Sequence, residues 1–413
     1  MRLYSKLFAL FLLCIAYSAQ AQQSFNITFP HDGKTVYGTF TVPAGTGKFP
    51  TIIIAPGSGA NDRNGTLPMV GGNVSCLYPA LLNDTLRPYR QLADSLVAGG
   101  FAVLRYDKLE YTYPTNLGAV TFHKLWLPVE SALTYVKTRN DVDTNRLILI
   151  GHSEGSSLIP HIAKSRDDIR ALISIGGPRT PFDSILAYQL VYFAQTCGGN
   201  VALAQSQSNQ ILAYYNAIRT GNWNGSTPAL FGVPAAAWSD YLEAIDSVAA
   251  NYRANDVPTL FVGMDLDVNV PPAEINRFEN EVPEADFYRL PGLIHYMTPL
   301  NNPNVSKVLT DTILYWLREH NLVTAAPSVS KPELQVNIFP NPFTDAVSIH
   351  MPPGFSGRFN CTVRNALGQI CFNRAYKQPG DAIQIDLHTL SRGVYFIEIE
   401  SAEGSACKRI VRE

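Results

Sequence analysis

The chain is 413 residues long, 46% apolar and only 16% charged, which allows two or three domains and argues against a disordered polymer. Its formal net charge is −2, and no long run of either sign occurs. Nothing here gathers phosphates, so the composition speaks against nucleic acid as a partner.

Residues 1–21 read as a secretory signal. Arg2 and Lys6 give the positive start, 7–16 the apolar centre, and Ala19-Gln20-Ala21 the small-x-small cleavage site, with the cut after Ala21. A lipoprotein anchor at Cys14 competes with this reading, but Leu13 stands where such signals want a small residue. No other segment is apolar for long enough to span a bilayer.

From 22 to 323 short β-rich runs alternate with helix-like segments. The expected strands are 35–42, 51–55, 102–106, 147–150, 171–175, 259–262 and 286–290. Several are continuous apolar runs, as parallel strands covered on both faces require. The expected helices are 89–98, 127–137, 157–165 and 305–320. The last carries Val305, Val308, Leu309, Thr312, Ile313 and Trp316 at a helical period. Alternating β and α predicts an α/β fold with a doubly wound, mostly parallel sheet.

Between 178 and 257 the alternation stops. Helix-like stretches at 185–195, 201–218 and 235–253 suggest a helical lid inserted into the sheet domain. Its aromatic residues are Tyr188, Tyr192, Tyr214, Tyr215, Trp223, Trp238 and Tyr241. Most are expected to pack the lid onto the body, and one or two to touch substrate. Residues 324–332, with two prolines and little apolar bulk, read as a linker. From 333 to 413 short alternating strands at 335–339, 346–350, 361–364, 382–387, 394–398 and 407–411 predict a small all-β sandwich.

Of six cysteines, Cys14 leaves with the signal, and Cys361, Cys371 and Cys407 lie in the tail. Cys76 and Cys197 share the body, and an exported protein permits their disulfide. Whether their Cα atoms approach closely enough stays open at this level. No C-x-x-C and no clustered His/Cys spacing suggests a metal site.

The chemistry centres on Gly151-His152-Ser153-Glu154-Gly155, which fits G-x-S-x-G. Such a pentapeptide recurs by chance, but this one follows an apolar strand and opens a helix. A turn that tight admits only glycine at 151 and 155 and pushes the Ser153 hydroxyl into the open. A serine hydroxyl near neutral pH needs an imidazole to take its proton and a carboxylate to orient that imidazole. The chain order on this fold is serine, acid, histidine.

Of eight histidines, His295 stands in a loop just after a strand, where sheet enzymes keep reactive groups. His320 lies on a helix, His350 and His388 in the tail, His31 ahead of the elbow, and His152 and His161 too close to Ser153. The acid should follow strand 259–262, where Asp267 and Asp265 both qualify. Asp267, three residues before Val270, matches a turn aimed at the histidine loop. Either aspartate could instead cap a helix that starts near Pro271-Pro272-Ala273-Glu274. The oxyanion needs two N–H donors. The expected ones are Glu154, after the nucleophile, and Ser58 (or Gly59) in the loop Pro56-Gly57-Ser58-Gly59-Ala60.

With these motifs in order, residues 25–323 resemble the α/β-hydrolases, and more narrowly the bacterial carboxylesterases related to the prolyl-oligopeptidase group. The shared segments are Gly57-Ser-Gly-Ala-Asn-Asp-Arg-Asn-Gly65, Arg105-Tyr-Asp-Lys108, the elbow, a D-x-x-V-P after Gly263, and a G-x-x-H at Gly292. Departures are Ala60 for the family proline, Asn64 for its second aspartate, Leu109-Glu110 for Arg-Gly, and one extra residue between Gly263 and the acid. They bear on substrate preference more than on the catalytic residues Ser153, Asp267 and His295. The resemblance implies hydrolysis of a small-molecule, short-chain carboxylic ester without metal or cofactor.

The tail resembles the C-terminal sorting domains of type IX secretion, through Phe339-Pro-Asn-Pro342, Ala366-Leu-Gly-Gln369 and Leu390-Ser-Arg-Gly-Val-Tyr395. That resemblance implies an outer-membrane translocon as partner, and secretion or surface display by way of the periplasm of a Gram-negative bacterium. An ancillary polysaccharide-binding sandwich is the plainer reading of the tail. For the whole chain the rivals are a serine peptidase on the same machinery and a catalytically idle surface-binding protein.

Overall fold

The computed structural model describes residues 22–323, 334–352, 355, 357–365, 369–377, 382–401 and 404–413. The expected signal (1–21), the linker (324–332) and most of the 366–369 motif lie outside the described residues. The chain divides into two compact units, 1–324 and 325–413.

The body is built on an eight-stranded sheet. Its strands are β1 (Gln23–His31), β2 (Lys34–Val42), β3 (Phe49–Ala55), β4 (Ala102–Tyr106), β5 (Val142–His152), β6 (Ile169–Ile175), β7 (Thr259–Met264) and β8 (Asp286–Leu290). They lie in the order β1-β2-β4-β3-β5-β6-β7-β8. β3 to β8 run parallel, while β2 is antiparallel to both β1 and β4.

Successive residues of the central strands feed two different cores. Ile53, Leu104 and Leu149 face one, and Ile52, Ile54, Val103, Ile148 and Ile150 face the other. A strand covered on both sides has no solvent face, which is why these runs are apolar without alternation. On one side lie α1 (Pro88–Ala98) and α9 (Lys307–Glu319). On the other lie α2 (Pro128–Val136), α3 (Glu154–Ala163) and α8 (Glu274–Glu281).

α9 buries Leu309, Thr310, Ile313, Trp316 and Leu317, whereas Val308 is 60% exposed. The face predicted from the sequence therefore includes one residue too many. A helix advances about 100° per residue, which puts Val308 roughly 140° from the middle of the arc formed by Leu309, Ile313 and Leu317.

The segment between β6 and β7 holds four helices and no strand: α4 (Phe182–Thr196), α5 (Val201–Arg219), α6 (Ala235–Ile245) and α7 (Val248–Arg253). The stretch expected as one helix over 235–253 is two, broken at Asp246 and Ser247. Tyr215, Trp238 and Tyr241 are buried in this insertion. Tyr241 packs on Trp126 of the body at 4.4 Å between ring centroids. Cys76 and Cys197 form a disulfide with Cα atoms 5.7 Å apart, tying the end of α4 to the loop after β3.

The second unit pairs a three-stranded sheet (Asn337–Phe339, Ala346–His350, Ala382–Asp386) with a four-stranded one (Ile370–Tyr376, Phe359–Asn365, Gly393–Ser401, Ser405–Arg412). All its strand pairs are antiparallel. Val347, Ile349 and Ile385 of the first sheet share a core with Val363, Ile397, Ile399 and Ile410 of the second. This is a sandwich, with the strand 370–376 added to those the sequence suggests.

Candidate active site

β5 ends in the elbow. Ser153 adopts φ 52° and ψ −123°, a conformation costly for a side chain bearing a Cβ and held here by its surroundings. Its N–H donates to Ile175 O at 3.0 Å, and α3 begins at the next residue. A Cβ on Gly155 would stand 2.3 Å from Ala55 O, and one on Gly151 would stand 2.5 Å from the Gly155 backbone. Strand β3 and helix α3 approach too closely there for any other residue.

The loops after β7 and β8 bring Asp267 and His295 together. His295 Nδ1 lies 2.7 Å from Asp267 Oδ2, and both side chains are buried. Asp267 Oδ1 accepts from the N–H groups of Asn269 and Val270 at 2.9 and 2.8 Å, which fixes the carboxylate in its turn. With Nδ1–H donating to Asp267, the His295 Nε2 is left as the basic atom. Asp265 does not reach the imidazole. It accepts from Gly292 N–H at 2.6 Å and so anchors the start of the histidine loop. Neither aspartate caps the helix at Glu274.

No hydrogen bond joins the Ser153 hydroxyl to His295 among the described residues. The two are related through His152, whose ring lies 4.7 Å from that of His295.

His152 itself has a part that its position in the sequence hides. Its Nε2 lies 2.9 Å from His295 O, which can only accept, so Nε2 carries the proton. Its Nδ1 then accepts from Tyr89 OH at 3.0 Å, and Tyr89 OH accepts from Gly57 N–H at 2.9 Å. One directed chain thus runs from the loop after β3 to the backbone of His295. Burial, with the neighbouring His295, pushes the His152 pKa down to about 3, so the ring stays neutral.

Ser58, exposed, and Glu154 line one pocket with Ser153. Its apolar wall comes largely from the insertion and includes Phe182, Ile185, Leu186 and Ile245. The Glu154 carboxylate is buried. It accepts from Trp126 Nε1 at 3.2 Å, Tyr241 OH at 3.1 Å and Lys108 Nζ at 3.3 Å. The Ser58 loop is held from outside by Arg63, which makes paired bonds of 3.0 and 2.6 Å to Asp107. Those residues belong to the two motifs 57–65 and 105–108, which pack against each other. Trp126 and Tyr241 carry no motif, and only the structure joins them to Glu154.

A serine elbow after the fifth strand, an acid after the seventh and a histidine after the eighth, on this strand order, decide the fold. The body has the α/β-hydrolase fold. Residues 337–413 match the secretion system C-terminal sorting domain, so the tail belongs to that family, which supports export to the outside or the cell surface.

Part of the chain is similar to Esterase EstD of Thermotoga maritima, 30% identical over 156 residues, which is 38% of this chain and 33% of that protein. The chain thus spans a third of the length of this relative. Among solved structures it resembles Est1E from Butyrivibrio proteoclasticus, at 19% identity and a TM-score of 0.47. It also resembles the esterase domain of a Rhodothermus marinus protein, at 16% identity and a TM-score of 0.45. Each likeness covers 72% of this chain and 98% of the other.

Among the described residues no group of three or more His, Cys, Asp or Glu side chains could hold a metal ion. No described helix is long and apolar enough to cross a membrane.

Proposed function

We propose that the hydrolase is an exported serine carboxylesterase working through an acyl-enzyme. Ser153 Oγ attacks the ester carbonyl while His295 Nε2 takes its proton. Asp267 holds the imidazole and stabilises the imidazolium that forms. The N–H groups of Ser58 and Glu154 receive the oxyanion, His295 returns the proton to the departing alcohol, and water repeats the sequence on the acyl group. Every step is proton or acyl transfer among these groups, so neither metal nor cofactor enters it.

The observation that carries the reading is the buried Asp267–His295 contact of 2.7 Å on loops flanking the strained Ser153 elbow. The similarity to EstD supports esters as the substrate class. A short acyl chain follows the resemblance to the carboxylesterases, and Tyr241, fixed to Glu154, is one of the residues lining the pocket. A peptidase that binds a substrate amine would need a carboxylate free to meet it. Glu154, the carboxylate that lines the pocket, is already engaged by Lys108, Trp126 and Tyr241. The tail would be read by the type IX outer-membrane translocon after passage through the periplasm.

A series of p-nitrophenyl esters of graded acyl length tests the reading. Turnover should be highest for acetate and butyrate and collapse for long chains, with stoichiometric fluorophosphonate labelling of Ser153. Faster cleavage of aminoacyl amides than of esters would overturn it.

A further inference from the structure

We propose that Lys108 is a positioning residue for the oxyanion hole, acting through the Gly57–Ser58 peptide, which it orients and polarises from behind. The proposal rests on the assignment of Ser153 and Ser58 above. Lys108 is buried, with its Nζ 3.3 Å from Gly57 O, 3.3 Å from Glu154 Oε2 and 3.5 Å from Glu110 Oε1.

The carbonyl of Gly57 and the N–H of Ser58 belong to one planar trans peptide, so they point in opposite directions. Whatever fixes Gly57 O therefore aims Ser58 N–H. The oxygen is held by Lys108 and by Asn61 Nδ2 at 3.0 Å, and the nitrogen of Gly57 by Tyr89 OH at 2.9 Å. The Ser58 N–H is left for the pocket that Ser153 and Glu154 share with it.

Charge adds to orientation. A cation on a carbonyl oxygen draws electron density from the amide and leaves its N–H a stronger donor, in a site where little water screens the effect. Burial alone would lower the Lys108 pKa. Glu110 and Glu154 outweigh that and raise its pKa above the ordinary lysine value. Glu154 is also the residue whose own N–H is the second proposed donor. The Lys108–Glu154 pair thus links the two halves of the oxyanion site, and Tyr241 and Trp126 keep its anionic end still.

The test compares the full-length protein with the double variant Lys108→Met/Glu154→Gln, which removes both charges of the pair at once and leaves the partly exposed Glu110 as the one carboxylate that loses its partner. Steady-state kinetics on p-nitrophenyl acetate are read beside inhibition by a trifluoromethyl ketone, which adds to the serine and places an oxyanion in the hole. Kcat should fall roughly 10-fold, since a whole donor is worth about 100-fold or more. KM should stay within about twofold, and the inhibition constant should rise in step with the loss in kcat. A pair that merely fills space would leave the ratio of ketone to substrate affinity unmoved. A folded variant with kcat and ketone inhibition like the parent's, or with KM alone changed, overturns the proposal.

If the double variant does not fold, Asn61→Ala decides. It removes a neutral donor that holds the same Gly57 oxygen at 3.0 Å together with Ser58 O at 2.8 Å and Gly59 O at 3.2 Å, and a parallel loss in kcat and ketone affinity supports the orientation of this peptide as the cause. Parent-like values overturn it. A Ser153→Ala protein that kept its activity would instead sink the underlying assignment, a separable result.

Discussion

His152 Nε2 donates to the backbone oxygen of His295 at 2.9 Å, so the residue beside the nucleophile holds the loop of the proposed base. Only the neutral ring can serve, because its Nδ1 must accept from Tyr89.

That arrangement carries a pH signature. The folded pKa of His152 is pushed down to about 3, against about 6.5 for an unfolded histidine. Protons therefore bind the unfolded state more readily. The stabilisation is whole above about pH 6.5 and drains away as pH falls toward 3, by at most ~1.4 kcal/mol per pH unit. A His152→Gln protein keeps a donor and an acceptor without the titration. Denaturant midpoints measured from pH 7 to 4 should fall more steeply for the parent than for the variant, whereas parallel curves would contradict the burial of a neutral ring.

Asp267 and Asp265 serve the same loop in different ways, so their amides should separate cleanly. Asp267→Asn removes the acceptor that selects the His295 tautomer and should lower kcat by about 10³-fold or more. Asp265→Asn weakens only the bond to Gly292 N–H and should cost about 1 kcal/mol of stability with kcat within a few-fold. Kinetics and thermal melts on both variants check this, and a reversed ranking would move the acid to Asp265.

Gly176 lies beneath the pair at φ +55°, where an added Cβ would meet Met264 Cε at 2.8 Å and Asp267 Oδ2 at 3.1 Å. Gly176→Ala should displace the carboxylate, lowering kcat at least about 10-fold with a backbone penalty of ~1–2 kcal/mol. A parent-like kcat would show that the Asp267–His295 contact tolerates movement.

The Cys76–Cys197 bridge closes a 121-residue span between the loop after β3 and the end of α4. Replacing both cysteines with serine should destabilise the body by about 2–4 kcal/mol. The drop in melting temperature should be matched by adding a reductant to the parent. An unchanged melt would mean the bridge constrains little.

The legible parts of this molecule are those where local chemistry and global position agree. Continuous apolar runs marked β3 to β7 because strands covered on both faces have no polar side to show. Strand order singles out Ser153, Asp267 and His295 as candidates because it fixes which loops lie at one end of the sheet, and the structure joins Asp267 to His295. β1 was missed, being an edge strand with one face exposed. The short helices Leu109–Thr112 and Phe122–Trp126 carry too few residues to show a period. The contacts of Glu154 with Trp126 and Tyr241 were illegible for another reason. Residues 87 positions apart leave no periodic trace when they meet, and only packing of the insertion creates the site they share.

The central claim is that Ser153 is the nucleophile that His295 activates. The most direct measurement is turnover of p-nitrophenyl acetate by Ser153→Ala, with its fold verified by thermal melt. The account predicts a loss of about 10⁴-fold or more in kcat and no fluorophosphonate labelling. Hydrolysis at the parent rate by a folded, unlabelled protein would contradict it.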